Sequence, residues 1–249
     1  MKGVYIHNQL EYRLEVAGED FCQGDRLACS LAVKNHGAGP HSPGMLRLSL
    51  MDADLKKLKE RKEGALTQVS CAELPACGEL AAGEQRRFDW SFELDRNCPI
   101  SDKSRSLCFV YGSDDSVSAL GQQPFVVLAH CHIQKVVSFF ESPFQFVCRG
   151  QKSAHGEVQV KLKPPSERRL SLLDELLLGF RFDNDAIVLN YHFRVMAFDT
   201  TATSVNVRKA RSEVSQRFEP RDYLLGEYLN HDYIERRIQE ALAVVSTGI

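Results

Sequence analysis

An alternation of apolar and polar residues within the segment 80–111 constrains the fold of this chain more than any other feature. At its centre, large apolar side chains occupy every second position: Phe88, Trp90, Phe92 and Leu94. A period of two predicts a β-strand with one buried face. A turn at Gly83-Glu84 precedes this strand, Cys98-Pro99 ends it, and a second alternating strand follows up to Tyr111. The pattern is typical of a β-sandwich and indicates no reaction.

Similar alternation recurs along most of the chain and predicts about a dozen short strands. The clearest of them are Leu10–Val16, Leu27–Val33, Leu46–Leu50, Gln68–Leu74, Phe125–Ile133, Val136–Val147, Val158–Leu162 and Ile187–Phe198. So many short strands favour sandwiches over a single barrel. We therefore predict an all-β fold of two tandem immunoglobulin-like β-sandwich domains, over residues 1–135 and 136–230.

The carboxy-terminal segment, residues 231–249, has a different period. Its apolar residues recur at helical spacing: Ile234, Ile238, Ala241, Leu242 and Val245. This spacing predicts one amphipathic helix over residues 231–246. Two roles remain open for its apolar face. The helix can pack back on the second sandwich, or it can bind a partner through Ile234 and Ile238.

Composition excludes several classes of function. The chain has 249 residues and a net charge of -2, with 31 Lys and Arg against 33 Asp and Glu. It therefore lacks the basic excess with which nucleic-acid-binding proteins displace counterions from phosphates. The start of the sequence has no apolar run of the kind that a secretory signal needs, and no stretch approaches the ~20 apolar residues of a membrane-spanning helix. We expect a cytoplasmic protein that contacts membranes, if at all, peripherally.

Eight cysteines are spread along the chain without a Cys-x-x-Cys pair. A small secreted domain with this number would be read as a disulfide framework, but this chain is not small. Several of its cysteines, such as Cys29 and Cys108, lie within apolar strand patterns, where a free thiol behaves as a small hydrophobic side chain. We predict reduced, structural cysteines.

Taken together, the turns and strands resemble those of arrestin-like proteins. The turn at Gly24-Asp25 and the segment 80–111 are similar to the amino-terminal domain of that family, in which a Gly-Glu turn precedes an aromatic-alternating strand, a proline and a strand that ends in tyrosine. The second half is similar to the carboxy-terminal domain, with Pro164-Pro165, a leucine-rich segment and the long strand Ile187–Phe198. The length is closest in style to the bacterial sporulation-control branch or the retromer branch.

The resemblance implies a non-enzymatic scaffold or adaptor, without a cofactor, that binds other proteins through sheet edges, loops and the cleft between the domains. Signalling, sporulation-type regulation and trafficking are the processes it implies. By the same analogy, the basic pairs Arg86-Arg87 and Arg168-Arg169 form an anion site for phosphorylated partners or acidic lipid. The alternative is that these pairs provide solubility and protect sheet edges by their charge. A Pro-Pro-x-Tyr ligase-docking motif is absent, because Ser166-Glu167 follows the two prolines and Glu167 stands at the position of the tyrosine.

A small-ligand or metal-binding module is the alternative function. It is centred on His130 and His132, which point to one face if this segment is a strand, with Cys131 on the other face. Two ligands are too few for a zinc site, so further ones would have to come from elsewhere. The sequence contains none of the common catalytic or phosphate-binding motifs, such as Gly-x-Ser-x-Gly or His-Glu-x-x-His. We therefore expect no enzyme activity.

The segment 54–63 is highly charged and contains only two leucines. Its plainest interpretation is a solvated hairpin tip or a short surface helix. A basic docking patch is the functional alternative, and at this stage charge alone supports it.

Overall fold

A computed structural model describes residues 1–60, 62–113, 120–166, 170–200 and 205–247, without the side chains of residues 73, 197–200, 205–207 and 246–247. Within these ranges the chain is mainly antiparallel β-structure and ends in a helix, as the sequence predicts. Arg168 and Arg169 lie outside the described residues. The chain divides into two compact units, Met1–Leu128 and Ala129–Ile249.

The first unit is a sandwich of two four-stranded sheets, with strand orders β1-β2-β4-β7 and β6-β5-β8-β9. Two-residue strands β3 and β10 form a small parallel pair. The elements are β1 (Lys2–His7), β2 (Leu10–Val16), β3 (Phe21–Cys22), β4 (Arg26–Asn35), β5 (Arg47–Asp54), α1 (Leu55–Lys59), β6 (Leu66–Glu73), β7 (Gln85–Glu93), β8 (Arg105–Gly112), β9 (Gly121–Phe125) and β10 (Val127–Leu128).

The core of this unit lies between the inner faces of the two sheets, where the alternating residues of both meet. Phe109 of β8 stacks on Phe125 at 4.8 Å between ring centroids and contacts Phe92 of β7 at 5.9 Å. The outer face of the second sheet carries a smaller cluster of buried residues: Met51, Ala53, Cys108, Val110 and Leu120. The central strand β8 is therefore buried on both faces, which explains its nearly continuous apolar sequence.

The second unit has one large sheet of five antiparallel strands, in the order β11-β12-β13-β14-β15. Its elements are α2 (Cys131–Glu141), β11 (Val147–Ala154), β12 (Glu157–Lys163), β13 (Leu173–Asp183), β14 (Ala186–Thr200), β15 (Val205–Phe218), α3 (Pro220–Tyr223), β16 (Leu224–Leu225), β17 (Tyr228–Leu229) and α4 (His231–Thr247). Strands β16 and β17 form a short hairpin.

Helices α2 and α4 supply the apolar partners of this sheet, in place of a second sheet of similar size among the described residues. Phe140 of α2 contacts Tyr191 of β14 at 6.2 Å between ring centroids, and Tyr233 of α4 contacts Phe218 of β15 at 6.1 Å. Burial of an apolar sheet face needs only a complementary apolar surface, which a helix provides as well as a sheet does.

The predicted strands Phe125–Ile133 and Val136–Val147 are wrong for most of their length: only Phe125, Val127, Leu128 and Val147 lie in strands, and helix α2 covers Cys131–Glu141. Its buried residues recur at helical spacing: Ile133, Val136, Val137, Phe139 and Phe140. The domain boundary predicted after residue 135 falls inside this helix, whereas the two units divide between Leu128 and Ala129.

Helix α4, by contrast, begins at the predicted residue and is one residue longer than predicted. The Asn230 side chain accepts a hydrogen bond from the backbone N–H of Tyr233 at 3.2 Å, so it caps the first turn. No helix in the described part of the chain is long and apolar enough to cross a membrane.

Candidate functional site

Arg86 and Arg87, the basic pair proposed from sequence, lie on opposite faces of β7 and are engaged by their own neighbours. The Arg86 guanidinium donates to the carbonyl oxygens of Cys77 and Glu79 and to the Glu84 carboxylate. Arg87 donates to Asp89 at 2.9 Å. Each cation is thus compensated locally, and the two side chains do not form one site.

Ile234 and Ile238 are fully buried, so the apolar face of α4 is covered. The Gln216 side chain of β15 donates to the Arg237 carbonyl oxygen at 2.8 Å and accepts from the Tyr191 hydroxyl at 2.9 Å. These bonds fasten the helix to the sheet of the second unit. Of the two roles that the sequence leaves open, the structure shows packing against this sheet.

His130 and His132 do not lie on one face of a strand, because the helix α2 begins between them. The His130 ring is the amino-terminal cap of α2, and its Nδ1 accepts a hydrogen bond from the His132 backbone N–H at 3.1 Å. That ring also packs edge-on against Phe182, and the His132 ring packs against Tyr223. In the part of the chain that the structure describes, no group of three or more His, Cys, Asp or Glu side chains could hold a metal ion.

The open edges of the sheets differ sharply in charge. Charged residues interrupt three of them: Arg86, Arg87, Asp89 and Glu93 on β7, Arg149 and Lys152 on β11, and Arg208, Lys209, Arg211, Glu213 and Arg217 on β15. Such charges are a common device against edge-to-edge pairing. Strands β1 and β9 lie beside each other, so each shields the edge of the other, and β9 contains Pro124.

Among the described residues, edge strand β6 has no charge, no proline and no shielding strand on its open side between its ends, and its one protective feature is a β-bulge. Its sequence Leu-Thr-Gln-Val-Ser-Cys-Ala is uncharged, and only the terminal Glu73 carries a charge. Its exposed residues are Thr67, Gln68, Val69 and Cys71. Among the described residues its backbone pairs only with β5, with a register shift opposite Leu50 and Met51 that leaves Val69 as an extra residue. The second edge of β6 is therefore open to an incoming strand.

A short basic helix, α1, lies next to the Leu66 end of β6. Leu58 of α1 and Leu66 of β6 both pack on the small outer cluster described above. The backbone N–H of Asp54 donates to the Ala65 carbonyl oxygen at 2.8 Å, which closes the segment between β5 and β6 at its base. We call the combination of β6 and α1 the β6 edge. The sequence predicts a strand over Gln68–Leu74 but not its position at an edge, which depends on pairing.

Cysteine reactivity provides a test of the solvent exposure of strand β6. All eight cysteines are free, and Cys71 of β6 and Cys131 are exposed. Burial raises the pKa of Cys29 and of Cys98 to about 12, and that of Cys108 to about 11. Because the thiolate is the reactive form, a shift of this size lowers its fraction by about a hundredfold to a thousandfold at neutral pH.

We expect a short pulse of N-ethylmaleimide at neutral pH to modify Cys71 and Cys131, and to leave Cys29, Cys98 and Cys108 intact. Mass spectrometry of peptides from the folded protein checks this, with a denatured sample as the control in which every thiol reacts. Protection of Cys71 in the folded, isolated chain would contradict the open edge.

Comparison with solved structures identifies the fold. The crystal structure of Spo0M, a sporulation control protein from Bacillus subtilis, matches this chain with a TM-score of 0.65 and 15% sequence identity, over 95% of this chain and 99% of the other. The chain has an arrestin-like fold. The resemblance of the turns and strands to that family is thereby confirmed at the level of the fold.

Two weaker structural matches are an alkylpurine DNA glycosylase, AlkC from Pseudomonas fluorescens bound to DNA with an abasic site analog, and VesC, a secreted serine protease from Vibrio cholerae. They have 15% and 10% identity, and they cover 49% and 84% of this chain and 31% and 44% of the other chains. Both TM-scores are 0.31, too low to bear on the fold or function of this chain. No protein-family model matches the chain, and no curated protein matches it in sequence.

Proposed function

We propose that this chain is a non-enzymatic scaffold that binds an extended segment of another protein along the β6 edge. The observation that carries the proposal is the absence of charge on β6 between its ends, while the open edges β7, β11 and β15 are charged. A long uncharged edge is an aggregation hazard unless something covers it. A partner strand that covers it removes that hazard.

Strand addition also accounts for the lack of distinctive sequence motifs. The incoming strand is held mainly by hydrogen bonds to backbone N–H and C=O groups, which every residue provides. An eight-residue strand such as β6 presents alternate residues to its open side, each with one N–H and one C=O, which corresponds to at most about eight hydrogen bonds worth about 1 kcal/mol each in net terms. The cost of association offsets part of this free energy. We therefore expect reversible binding, which suits a regulatory protein.

A regulatory role in the cytoplasm is part of this proposal. For regulation, its support is that a structure of similar fold is that of a protein whose name states sporulation control. On this proposal the partners are proteins and not nucleic acid, and no catalytic step is involved. Fold alone does not define function, so the proposal depends on the site and not on the neighbour.

A matched pair of substitutions tests the proposal. Gln68→Lys places a charge on the exposed face of β6, and Gln151→Lys makes the same change on the exposed edge strand β11, which already carries Arg149 and Lys152. We expect Gln68→Lys to weaken partner binding by about tenfold, because the charge must be desolvated when a strand pairs beside it. Gln151→Lys is expected to bind as the unmodified chain does.

The measurement is quantitative crosslinking capture from native cells, followed by hydrogen–deuterium exchange of the purified chain with the captured partner. Protection of the backbone amides of residues 66–72 on binding is the expected result. Equal capture by both variants, or protection elsewhere with none on β6, would show that the partner does not use this edge.

A further inference from the structure

We infer that the partner segment carries acidic residues at the end that lies beside Leu66, where α1 presents three lysines. This inference rests on the proposed function and specifies the chemistry of the ligand that it requires. The lysines are Lys56, Lys57 and Lys59, all exposed, in a helix of only five residues.

Helix α1 holds these lysines in a defined place. The Asp54 carboxylate caps the helix by accepting hydrogen bonds from the backbone N–H groups of Lys56 at 3.1 Å and Lys57 at 3.0 Å. At the other side of the helix, Leu58 packs on the outer cluster together with Leu66. The basic helix is therefore fixed to the same cluster as the first residue of the open strand.

The charge of α1 is not neutralised by its surroundings. Among the described residues, none of the three lysines forms an ion pair. Of the acidic groups close in sequence, Glu60 pairs with Lys62 at 2.6 Å, and Asp54 is used for capping. Glu63 is exposed beyond the helix. Lysines in a last turn also complement the carbonyl end of a helix, but one cation suffices for that purpose.

A peptide uses the whole of this surface, whereas an acidic membrane surface uses only the lysines. An extended segment can pair its backbone with β6 and at the same time extend acidic side chains over α1. Its paired part would be uncharged, because a charge there would be desolvated beside Thr67, Gln68 and Val69. Lipid headgroups cannot form the strand ladder, so the structure favours the peptide.

The test is a selection of random peptides of about 12 residues, long enough for a strand of eight and an acidic flank, displayed on phage and bound to the purified full chain. We expect selected peptides to have an uncharged, β-branched stretch and an acidic cluster at one end. Their affinity, measured by fluorescence anisotropy with synthetic copies, is expected to fall about tenfold in Lys56→Glu/Lys57→Glu/Lys59→Glu and to fall with rising ionic strength.

A control variant with the same change of charge is Arg149→Glu/Lys152→Glu/Lys163→Glu, which alters three exposed cations of the second unit. It is expected to bind the selected peptides as the unmodified chain does. Circular dichroism confirms that both triple variants are folded.

The outcomes separate this inference from the proposed function. Peptides that depend on Gln68 but show no acidic enrichment overturn the inference and leave strand addition in place. Peptides whose affinity is unchanged by Gln68→Lys and by the lysine variant overturn the inference and the proposed function together. A selection that yields no binder above background does the same. A third outcome is that phosphatidylserine vesicles bind through the three lysines while peptide affinity does not depend on these lysines. This outcome assigns α1 to a membrane surface and also overturns the inference.

Discussion

Replacing Asn35 with aspartate is expected to destabilise the first unit by about 3–5 kcal/mol, although the two side chains have the same shape. Asn35 is fully buried at the end of β4. Its amide nitrogen donates to three carbonyl oxygens, those of Gly39 at 2.8 Å, Leu80 at 3.0 Å and Ala81 at 3.2 Å. Aspartate would remove these donors and place a carboxylate against three acceptors.

The backbone of Asn35 completes the same junction. Its N–H donates to the Glu84 carbonyl oxygen, and its own carbonyl accepts from Gly83, both at 2.9 Å. One buried residue therefore joins the loop after β4 to the Gly83-Glu84 turn before β7. Loss of the side-chain bonds is expected to loosen both loops together.

Thermal and urea unfolding, followed by circular dichroism, measures this effect, with the exposed Asn8→Asp as the matched control. The introduced carboxyl is held more readily in its protonated form, so its pKa is raised in the folded state. A raised pKa gives stability that is present at low pH and lost as pH rises. The destabilisation of Asn35→Asp should therefore be smaller at about pH 4 than at about pH 7. Equal stability of Asn35→Asp and Asn8→Asp would contradict this role of Asn35.

The sequence predicts the strands of the first unit well because their burial has a period that single residues reveal. Phe88 and Phe92 identify β7, and the turn before it follows from Gly83, whose φ of 75° favours glycine. Asn35 could not be recognised in this way. An asparagine at the end of a strand is common, and only the tertiary structure brings three distant carbonyl groups to it.

The segment 125–147 shows a second reason for failure, because here the local sequence pattern itself is ambiguous. Short apolar runs fit a buried strand and a buried helix equally well. The two histidines give no usual signal for the start of helix α2. His130 acts as a helix cap, a role more usual for Ser, Thr, Asp or Asn. The spacing of Ile133, Val136, Val137 and Phe140 was the available signal for a helix.

The candidate site was predictable only in part. The sequence identifies the charged segment 54–63 and a strand after it, but not that β6 lies at the edge of its sheet while its partner β5 lies inside it. Edge position depends on which strands pair, and pairing is a long-range property. The residues that stand out by charge, Arg86 and Arg87, prove to be engaged locally, whereas the candidate edge stands out by having no charge.

Ile238→Asp is expected to unfold the second unit, because it places a carboxylate at a position with no exposed surface. Ile238→Ala alone is expected to cost about 2–5 kcal/mol through the lost contacts and the cavity left behind, and the aspartate adds the cost of a buried, unpaired charge.

Val244→Asp is the matched control, since Val244 lies on the same helix and is 45% exposed. Calorimetry of the full chain is expected to show two unfolding transitions, one for each unit. Ile238→Asp is expected to lose the transition of the second unit, whereas Val244→Asp is expected to retain both. If α4 were instead a docking helix that is released from the sheet in solution, Ile238→Asp and Val244→Asp would unfold alike, near the temperature of the unmodified chain. The packing of α4 against β14 and β15, together with the complete burial of Ile238, predicts the first result.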